Sequence, residues 1–125
     1  MDKCYTPQIE DIRTGYEFEI FRERDNTWWD SKTTFPNESL DWIINKLKEG
    51  RLRVAYLTKE QIEKDGWKNT HFREDLSGYN KGKFNLSFYH DNSFIRIWNG
   101  NEVIVFEGKC PSINELRQIM KLLEI

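Results

Sequence analysis

Residues 84–108 decide the fold, and they read FNLSFYHDNSFIRIWNGNEVIVFEG. Apolar and polar side chains alternate in three runs, which is typical of strands with one buried face. Two turn signals separate the runs, Asp91-Asn92 and Asn99-Gly100, and the second is a strong signal for a tight hairpin. The stretch therefore predicts three antiparallel strands joined by short turns.

Two-residue turns would also set which residues of neighbouring strands lie opposite each other. Around the first turn Tyr89 pairs with Phe94, and around the second Ile95 pairs with Ile104. This register predicts one apolar face, made of Leu86, Phe88, Ile95, Ile97, Ile104 and Phe106. The opposite face, which we call the aromatic face, carries Tyr89, Phe94, Arg96 and Trp98, with Asn85, Ser87, Val103 and Val105 around them.

The first half of the chain predicts a hairpin, a helix and a further strand. Residues 16–20 alternate apolar and acidic side chains, and residues 27–29 fit a returning strand. Apolar residues recur at helical spacing over residues 38–49, so the predicted helix presents one apolar stripe. Residues 51–57 alternate again, as a strand does. Thr33 lies in a polar stretch and is expected to tolerate alanine if no buried hydrogen bond depends on it.

Two helices and one loop are predicted around the three strands. Thr58 with Gln61, and Ser112 with Glu115, have the spacing of capping boxes, which begin helices. The C-terminal helix has an apolar stripe that would cover the apolar face of the sheet, made of Ile113, Leu116, Ile119, Met120 and Leu123. Residues 77–83, with two glycines and two lysines, predict a loop.

Length and composition favour a single globular domain over residues 1–125. Eight Phe, five Trp and five Tyr are too many aromatic residues for a disordered chain. The order of the patterns predicts an α+β fold, with a mainly antiparallel sheet, a central helix and a C-terminal helix packed on one face. The two cysteines lack metal-ligand spacing, and no secretory signal or membrane span is evident. We therefore expect a cytoplasmic protein with no metal, no cofactor and no membrane association.

Two stretches resemble a family of small phage and prophage proteins. Residues 54–67, VAYLTKEQIEKDGW, resemble a strand, short helix and Gly-aromatic element of that family. Residues 105–109, VFEGK, and the helix that follows are similar to the end of the same proteins, and the opening at residues 6–19 is similar too. Trp28-Trp29 and residues 79–83 lie outside the pattern. The resemblance implies a phage or mobile-element setting and this fold class, and it implies no catalytic residues.

One set of residues has the form of a metal-dependent nuclease core. Glu107-Gly108-Lys109 is an E-x-K sequence at a strand end, and Asp91 lies one strand earlier. Two carboxylates on Mg²⁺ and a lysine near the attacked phosphate would supply that chemistry. Short motifs of this kind are unspecific, and Asp91 is equally explained as a turn residue. His71 fits a metal ligand, a general base or a solvated loop residue equally well. Because none of these patterns is specific, we expect no enzymatic activity.

The aromatic face is the candidate binding surface. The candidate residues are Tyr89, Phe94, Arg96 and Trp98 on the sheet, and Tyr79, Lys81 and Lys83 in the predicted loop beside it. Aromatic rings with an arginine stack unpaired bases, and the same residue types dominate protein-binding hot spots. The third possibility is that the N-terminal hairpin or the first helix covers this face.

These features predict a non-enzymatic, phage-type binding protein that acts on a host protein or ribonucleoprotein in the cytoplasm of the host cell. Its most concrete form is a counter-defence inhibitor, similar to an anti-CRISPR, that docks on a nuclease or its guide RNA. The alternatives are a single-stranded RNA- or DNA-binding accessory protein and a small metal-dependent nuclease. The net charge of −2 predicts no general attraction to nucleic acid.

Overall fold

The computed structural model describes residues 3–33, 40–100 and 103–125. Its contacts divide the chain into two compact units, Met1–Tyr56 and Leu57–Ile125, and each unit has its own sheet and its own hydrophobic core. Antiparallel strands and α-helices in both units confirm the α+β fold class. The single domain over residues 1–125 stays a prediction.

The first unit is a four-stranded antiparallel sheet with one helix. Its elements are β1 (Cys4–Tyr5), β2 (Glu17–Arg22), β3 (Thr27–Lys32), α1 (Leu40–Lys48) and β4 (Leu52–Ala55), with a 3₁₀ turn at Ile9–Asp11. The strands lie in the order β1-β4-β2-β3. The predicted hairpin is confirmed as β2 and β3, and the predicted helix as α1.

The core of this unit forms where α1 meets residues of β2 and β4. Ile43 is fully buried, and it clusters with Phe18, Leu52 and Val54, while Leu47 packs against the same cluster. Every second residue of β4 is buried, as expected for a strand with one face on a core. The apolar stripe that the sequence predicted for the helix therefore faces a core.

Thr33 does not meet the condition under which the sequence analysis expected it to tolerate alanine. It is 1% exposed, and its hydroxyl accepts a hydrogen bond from the backbone N–H of Tyr16 at 3.0 Å. The same hydroxyl donates to the carbonyl oxygen of Arg13. A buried hydrogen bond does depend on Thr33, so the condition under which alanine would be tolerated is not met.

The second unit is a five-stranded antiparallel sheet with two helices. Its elements are α2 (Lys59–Lys64), β5 (Lys68–Phe72), β6 (Leu76–Lys81), β7 (Phe84–Tyr89), β8 (Phe94–Asn99), β9 (Val103–Lys109) and α3 (Ile113–Leu122). The strands follow one another across the sheet in chain order. The three strands predicted from residues 84–108 are confirmed. The predicted loop over residues 77–83 is wrong, because most of it forms β6, held on both sides by β5 and β7.

The register between β7 and β8 is as predicted, and the register between β8 and β9 is not. Tyr89 lies opposite Phe94. Ile95 lies opposite Gly108 rather than Ile104, because Asn99, which the prediction placed in the turn, is the last residue of β8 and pairs with Val103. A further register shift between Ile97 and Trp98 marks a β-bulge that moves β9 along β8.

The bulge changes which side chains of β9 face the core. Phe106 lies opposite Ile97 and packs against the core, as the predicted face requires. Ile104 lies opposite Trp98 instead and is 49% exposed, so its predicted place on the apolar face is wrong.

Both helices of this unit begin where the sequence predicts. Thr58 and Gln61 form the complete capping box. The backbone N–H of Gln61 donates to the Thr58 hydroxyl at 3.2 Å, and the backbone N–H of Thr58 donates to the Gln61 side-chain oxygen at 3.0 Å. Ser112 caps α3 by accepting from the backbone N–H of Asn114 at 3.2 Å, and its hydroxyl donates to the Glu115 carboxylate. The reciprocal bond of a capping box is therefore shown only for α2.

The apolar stripe of α3 covers one face of the five-stranded sheet, as predicted. One buried cluster contains Leu86, Phe88, Ile95 and Ile97 of the sheet together with Ile113, Leu116 and Met120 of the helix. Ile97 and Leu116 are fully buried. Because side chains alternate along a strand, the aromatic face is the face that points away from α3.

Candidate binding site on the aromatic face

The pairing of β5 to β9 arranges the aromatic face in rows that run across the sheet. Directly paired residues share a face, so the register defines each row. One row contains Asn80, Asn85, Trp98 and Ile104. The next contains His71, Gly78, Ser87, Arg96 and Glu107, and the third contains Leu76, Tyr89, Phe94 and Lys109. The structure thus brings together the four sheet residues predicted for the site, Tyr89, Phe94, Arg96 and Trp98.

Arg96 is oriented by the neighbouring strand. Its Nε lies 3.0 Å from a carboxylate oxygen of Glu107, and its guanidinium carbon lies 5.9 Å from the centre of the Trp98 ring. The ion pair is partly exposed, so it positions the guanidinium more than it stabilises the fold. The distance to Trp98 is at the outer limit of a cation–π contact, and the guanidinium does not cover the indole closely.

A second aromatic pair lies at the other end of this face. The rings of Tyr89 and Phe94 meet edge to face with their centres 5.7 Å apart. Both residues are half-buried, and Lys109 lies opposite Phe94 on β9. The pair gives the aromatic face a second apolar surface beside a cation.

A groove of about 420 Å³ crosses the aromatic face. Its lining includes Thr70, His71, Gly78, Asn85, Ser87 and Trp98. Gly78 allows the close approach of His71, because a Cβ on residue 78 would lie only 2.1 Å from Cε1 of the imidazole and the ring would have to move away. The imidazole therefore sits directly on the backbone of β6, and the small residues Gly78 and Ser87 lie between His71 and Trp98.

The polar side chains that line the groove differ in how many hydrogen bonds they already make within the protein. The Asn85 side chain accepts from Asn80 at 3.1 Å and donates to the Gly100 carbonyl at 2.8 Å. Ser87 is 9% exposed, and its hydroxyl makes no hydrogen bond with another residue of the described ranges. The groove thus has an amide fixed by two hydrogen bonds at one end, and near its centre a hydroxyl that is open to the groove.

Two of the three residues predicted for the neighbouring loop do not reach the aromatic face. Tyr79 is among the residues that line the groove, but its side chain is buried in the core cluster, and burial raises the pKa of its hydroxyl. Lys81 is paired opposite Phe84, also a core residue, and its Nζ donates to the carbonyl oxygen of Asp65 at 2.8 Å. Lys83 lies in the exposed turn between β6 and β7. The predicted loop is a strand, and its residues on the aromatic face are Gly78 and Asn80.

The sequence interpretation missed the contribution of β5 to the site. All five residues of β5 are exposed, so this edge strand has no apolar alternation to reveal it. A register shift between Asn69 and His71 further disturbs the pattern. The available signal was Gly78, since a glycine inside a strand often marks a close approach by another group.

A serine–histidine hydrogen bond lies on the core side of the same sheet. Ser77 Oγ and His90 Nε2 are 2.6 Å apart, and His90 Nδ1 lies 3.0 Å from the carbonyl oxygen of Glu74. The carbonyl only accepts, so Nδ1 carries a proton and Nε2 is the nitrogen that faces the serine hydroxyl. This arrangement resembles an activated nucleophile, but Ser77 is fully buried and presents no surface to a substrate. His90 therefore has a hydrogen-bonding role beside the turn between β7 and β8.

The residues of the nuclease-like pattern are separated by their local partners. The Glu107 carboxylate is paired with Arg96, and Asp91 is exposed in the turn between β7 and β8. Lys109 lies opposite Phe94, two residues along β9 from Glu107. Within residues 3–33, 40–100 and 103–125, no group of three or more His, Cys, Asp or Glu is placed to hold a metal ion.

Both cysteines are free thiols. Burial raises the pKa of Cys110 strongly and that of Cys4 less. Because the thiolate is the reactive form, neither thiol is activated as a nucleophile by its surroundings.

Comparisons with protein-family models, curated proteins and solved structures give no match. The similarity to phage proteins therefore stays an expectation drawn from the sequence. None of the helices in the described ranges has both the length and the apolar character required to span a bilayer.

Proposed function

We propose that this protein is a non-enzymatic binding protein that acts on a host macromolecule through its aromatic face. The observation that supports this most is the groove, which is lined by Trp98 together with the Ser87 hydroxyl. Tryptophan and arginine are enriched among residues that dominate binding energy, and Arg96 lies beside Trp98.

The state of the reactive side chains favours binding over catalysis. Glu107 is held by Arg96, and the only serine–histidine pair among the described residues has its serine in the core. A general acid or base needs a free proton-transfer atom within reach of a substrate. Neither the Glu107–Arg96 pair nor the Ser77–His90 pair presents such a free proton-transfer atom on the aromatic face.

The proposed place of action and type of partner rest on the sequence resemblance to phage proteins. A phage-type protein of this size would act in the cytoplasm of the host cell on a protein or ribonucleoprotein. Its most concrete form is a counter-defence inhibitor that docks on a CRISPR nuclease or its guide RNA. The alternative, an accessory protein that binds single-stranded RNA or DNA, is favoured by the shape of the groove.

Affinity capture from a host lysate, with and without RNase, tests the proposed surface. The wild type is expected to retain a defined partner, and Trp98→Ala to bind it about 30-fold more weakly, as for a typical hot-spot residue. Trp29→Ala is the matched control, since Trp29 is an equally large and more exposed ring in the other unit. A partner that Trp98→Ala retains and Trp29→Ala loses would place the binding surface in the first unit.

Incubation of labelled RNA and DNA with Mg²⁺ or Mn²⁺ tests the non-enzymatic character. No cleavage is expected, and Glu107→Gln is expected to leave partner binding intact. Cleavage by the wild type that Glu107→Gln abolishes would favour the metal-dependent nuclease instead.

A further inference from the structure

We infer that the groove is a slot for one unpaired nucleobase of a single-stranded nucleic acid, held between His71 and Trp98. This inference rests on the proposed function and names the chemistry of the partner at that surface. The width of the slot, the nature of its floor and the charges around it support the inference independently of one another.

The spacing of the strands gives the slot the width of an inserted ring. His71 sits on Gly78 of β6, and Trp98 projects from β8 one row further along the strands. Their anchor points are therefore separated by two strand spacings, about 9.5 Å, across the sheet and by about 7 Å along it, or about 12 Å in all. Aromatic groups contact each other with centres 4.5–7 Å apart, so one ring between two others needs about 9–14 Å. A single planar ring therefore fits between them, and two stacked rings do not.

The floor of the slot favours a ring with polar edges. Ser87 lies between the two walls, on β7, and its hydroxyl has no hydrogen-bond partner among the described residues. A nucleobase supplies donors and acceptors to that hydroxyl, whereas a phenylalanine ring would leave it buried and unsatisfied. The polar edge of a base therefore matches the floor better than an apolar side chain does.

The slot has little means to discriminate between bases. The Asn85 amide, the group best suited to read a base edge, already bonds to Asn80 and to Gly100. The hydroxyl of Thr70 lies 3.2 Å from His71 Nδ1 and is likewise engaged. Stacking with a single free hydroxyl gives binding that tolerates different bases.

The charges on this face complement a phosphate backbone. Lys68 lies opposite Asn80 in the row of Trp98, and Lys109 lies opposite Phe94 at the other end of β8. Arg96 lies between them, and Glu107, the carboxylate that shares these rows, is paired with it. Cations in the Trp98 row and at the far end of β8 complement the phosphates on either side of an inserted base.

Fluorescence anisotropy with labelled strands of about ten nucleotides tests the slot, since single-strand sites on sheet surfaces span similar lengths. The strands are oligo-uridine RNA, oligo-thymidine DNA and an abasic DNA of the same length, which keeps the phosphates and lacks the bases. Both base-containing strands are expected to bind, because stacking does not depend on the sugar. The abasic strand is expected to bind more weakly.

Two variants of the walls and one control complete the design. Trp98→Ala is expected to weaken binding of the base-containing strands about 5- to 150-fold, the range for loss of one stacked base. The variant is expected to leave binding of the abasic strand unchanged. His71→Ala removes an exposed side chain of an edge strand, so it tests the opposite wall if Trp98→Ala fails to fold. Trp29→Ala is expected to bind every strand as the wild type does.

The outcomes separate this inference from the proposed function. Equal binding of abasic and base-containing strands would overturn the slot, since charge alone would then explain the affinity. If no strand binds while Trp98→Ala loses a protein partner that RNase treatment leaves in place, the slot is overturned and the proposed function stands. If Trp98→Ala matches the wild type in both assays, both are overturned.

Discussion

The two sheets of this protein present tryptophan and arginine in opposite ways. In the first unit, the guanidinium carbons of Arg22 and Arg53 lie 3.7 Å and 4.0 Å from the ring centres of Trp29 and Trp28. In the second unit, Arg96 lies 5.9 Å from the ring centre of Trp98 and is turned toward Glu107. The ring faces on β3 are therefore occupied by the chain itself, and the slot beside Trp98 is not.

Acidic neighbours produce this difference. Asp25 binds Arg22 through two oxygens, and Glu19 accepts from Arg53 at 2.7 Å, which places both guanidinium groups over their rings. Glu107 lies on the strand next to Arg96 and draws its guanidinium away from a close stack with Trp98. The comparison teaches that residue types alone do not define a binding surface, because the position of a counter-charge decides whether a ring face is free for a ligand.

The largest predicted effect concerns the core that supports the aromatic face. Ile97→Ala should lower the free energy of unfolding by about 2–5 kcal/mol, because Ile97 is fully buried under α3. Ile104→Ala, in the neighbouring strand and half-exposed, should stay within about 0.5 kcal/mol of the wild type. Urea unfolding measures both, and equal losses would show that the β8–β9 register described here is wrong.

The next effect tests how the first unit holds its hairpin in place. Thr33→Ala should lower the free energy of unfolding by about 0.5–1.5 kcal/mol, because it removes the hydroxyl that bonds to the Tyr16 amide and the Arg13 carbonyl and leaves their 3.0 Å bond to each other. Thr6→Ala, at an exposed position, is the control and should change stability little. Thermal or urea unfolding provides the measurement, and a harmless Thr33→Ala would contradict the buried bond.

A pair of double-mutant cycles sharpens the comparison directly. Arg53 and Trp28 should show a coupling energy of about 0.5–1 kcal/mol in stability, the usual range for a partly exposed cation–π contact. Arg96 and Trp98 should show less, because their groups are farther apart. Larger coupling in the second cycle would mean that Arg96 already covers the Trp98 ring and that the slot is occupied by the chain itself.

The smallest effect is a pH dependence that belongs to the first unit. Hydrogen bonds from Arg22 and then Thr27 lower the pKa of Asp25 from 3.8 to about 2. A lowered folded pKa stabilises the fold above the unfolded value, and this contribution is lost as pH falls from about 4 to about 2. Asp25→Asn should therefore be slightly less stable than the wild type at pH 7, and the difference should shrink as pH falls toward 2. The effect is small because the pair is exposed. A stability difference that is as large at pH 2 as at pH 7 would show that it does not come from the ionisation of Asp25.

Much of the fold could be predicted because its signals are local. The capping box at Thr58 and Gln61 involves residues three apart, and the apolar stripe of α3 lies within one helix. The pairing of Tyr89 with Phe94 follows from a short connection. Each of these features depends on neighbours in the chain, so the amino-acid order contains the information.

The candidate site could be predicted only in part. The four aromatic-face residues of β7 and β8 were found because their hairpin register was correct. Tyr79 and Lys81 were assigned to a loop because Gly78, Asn80 and Gly82 signal turns, whereas pairing on both sides makes this segment a strand. Intrinsic propensity of a strand residue is weaker than the pairing and burial that its place in the sheet imposes.

The sequence by itself determined the class of the fold, the helix starts, the hairpin of β7 and β8 and the presence of Trp98 beside Arg96. Only the tertiary structure decided the β8–β9 register, the exposure of Ile104 and the slot between His71 and Trp98. The physical reason is that these features join residues of different strands. Their positions depend on a bulge, on a ring packed against Gly78 and on the pairing of five strands, none of which a local pattern encodes.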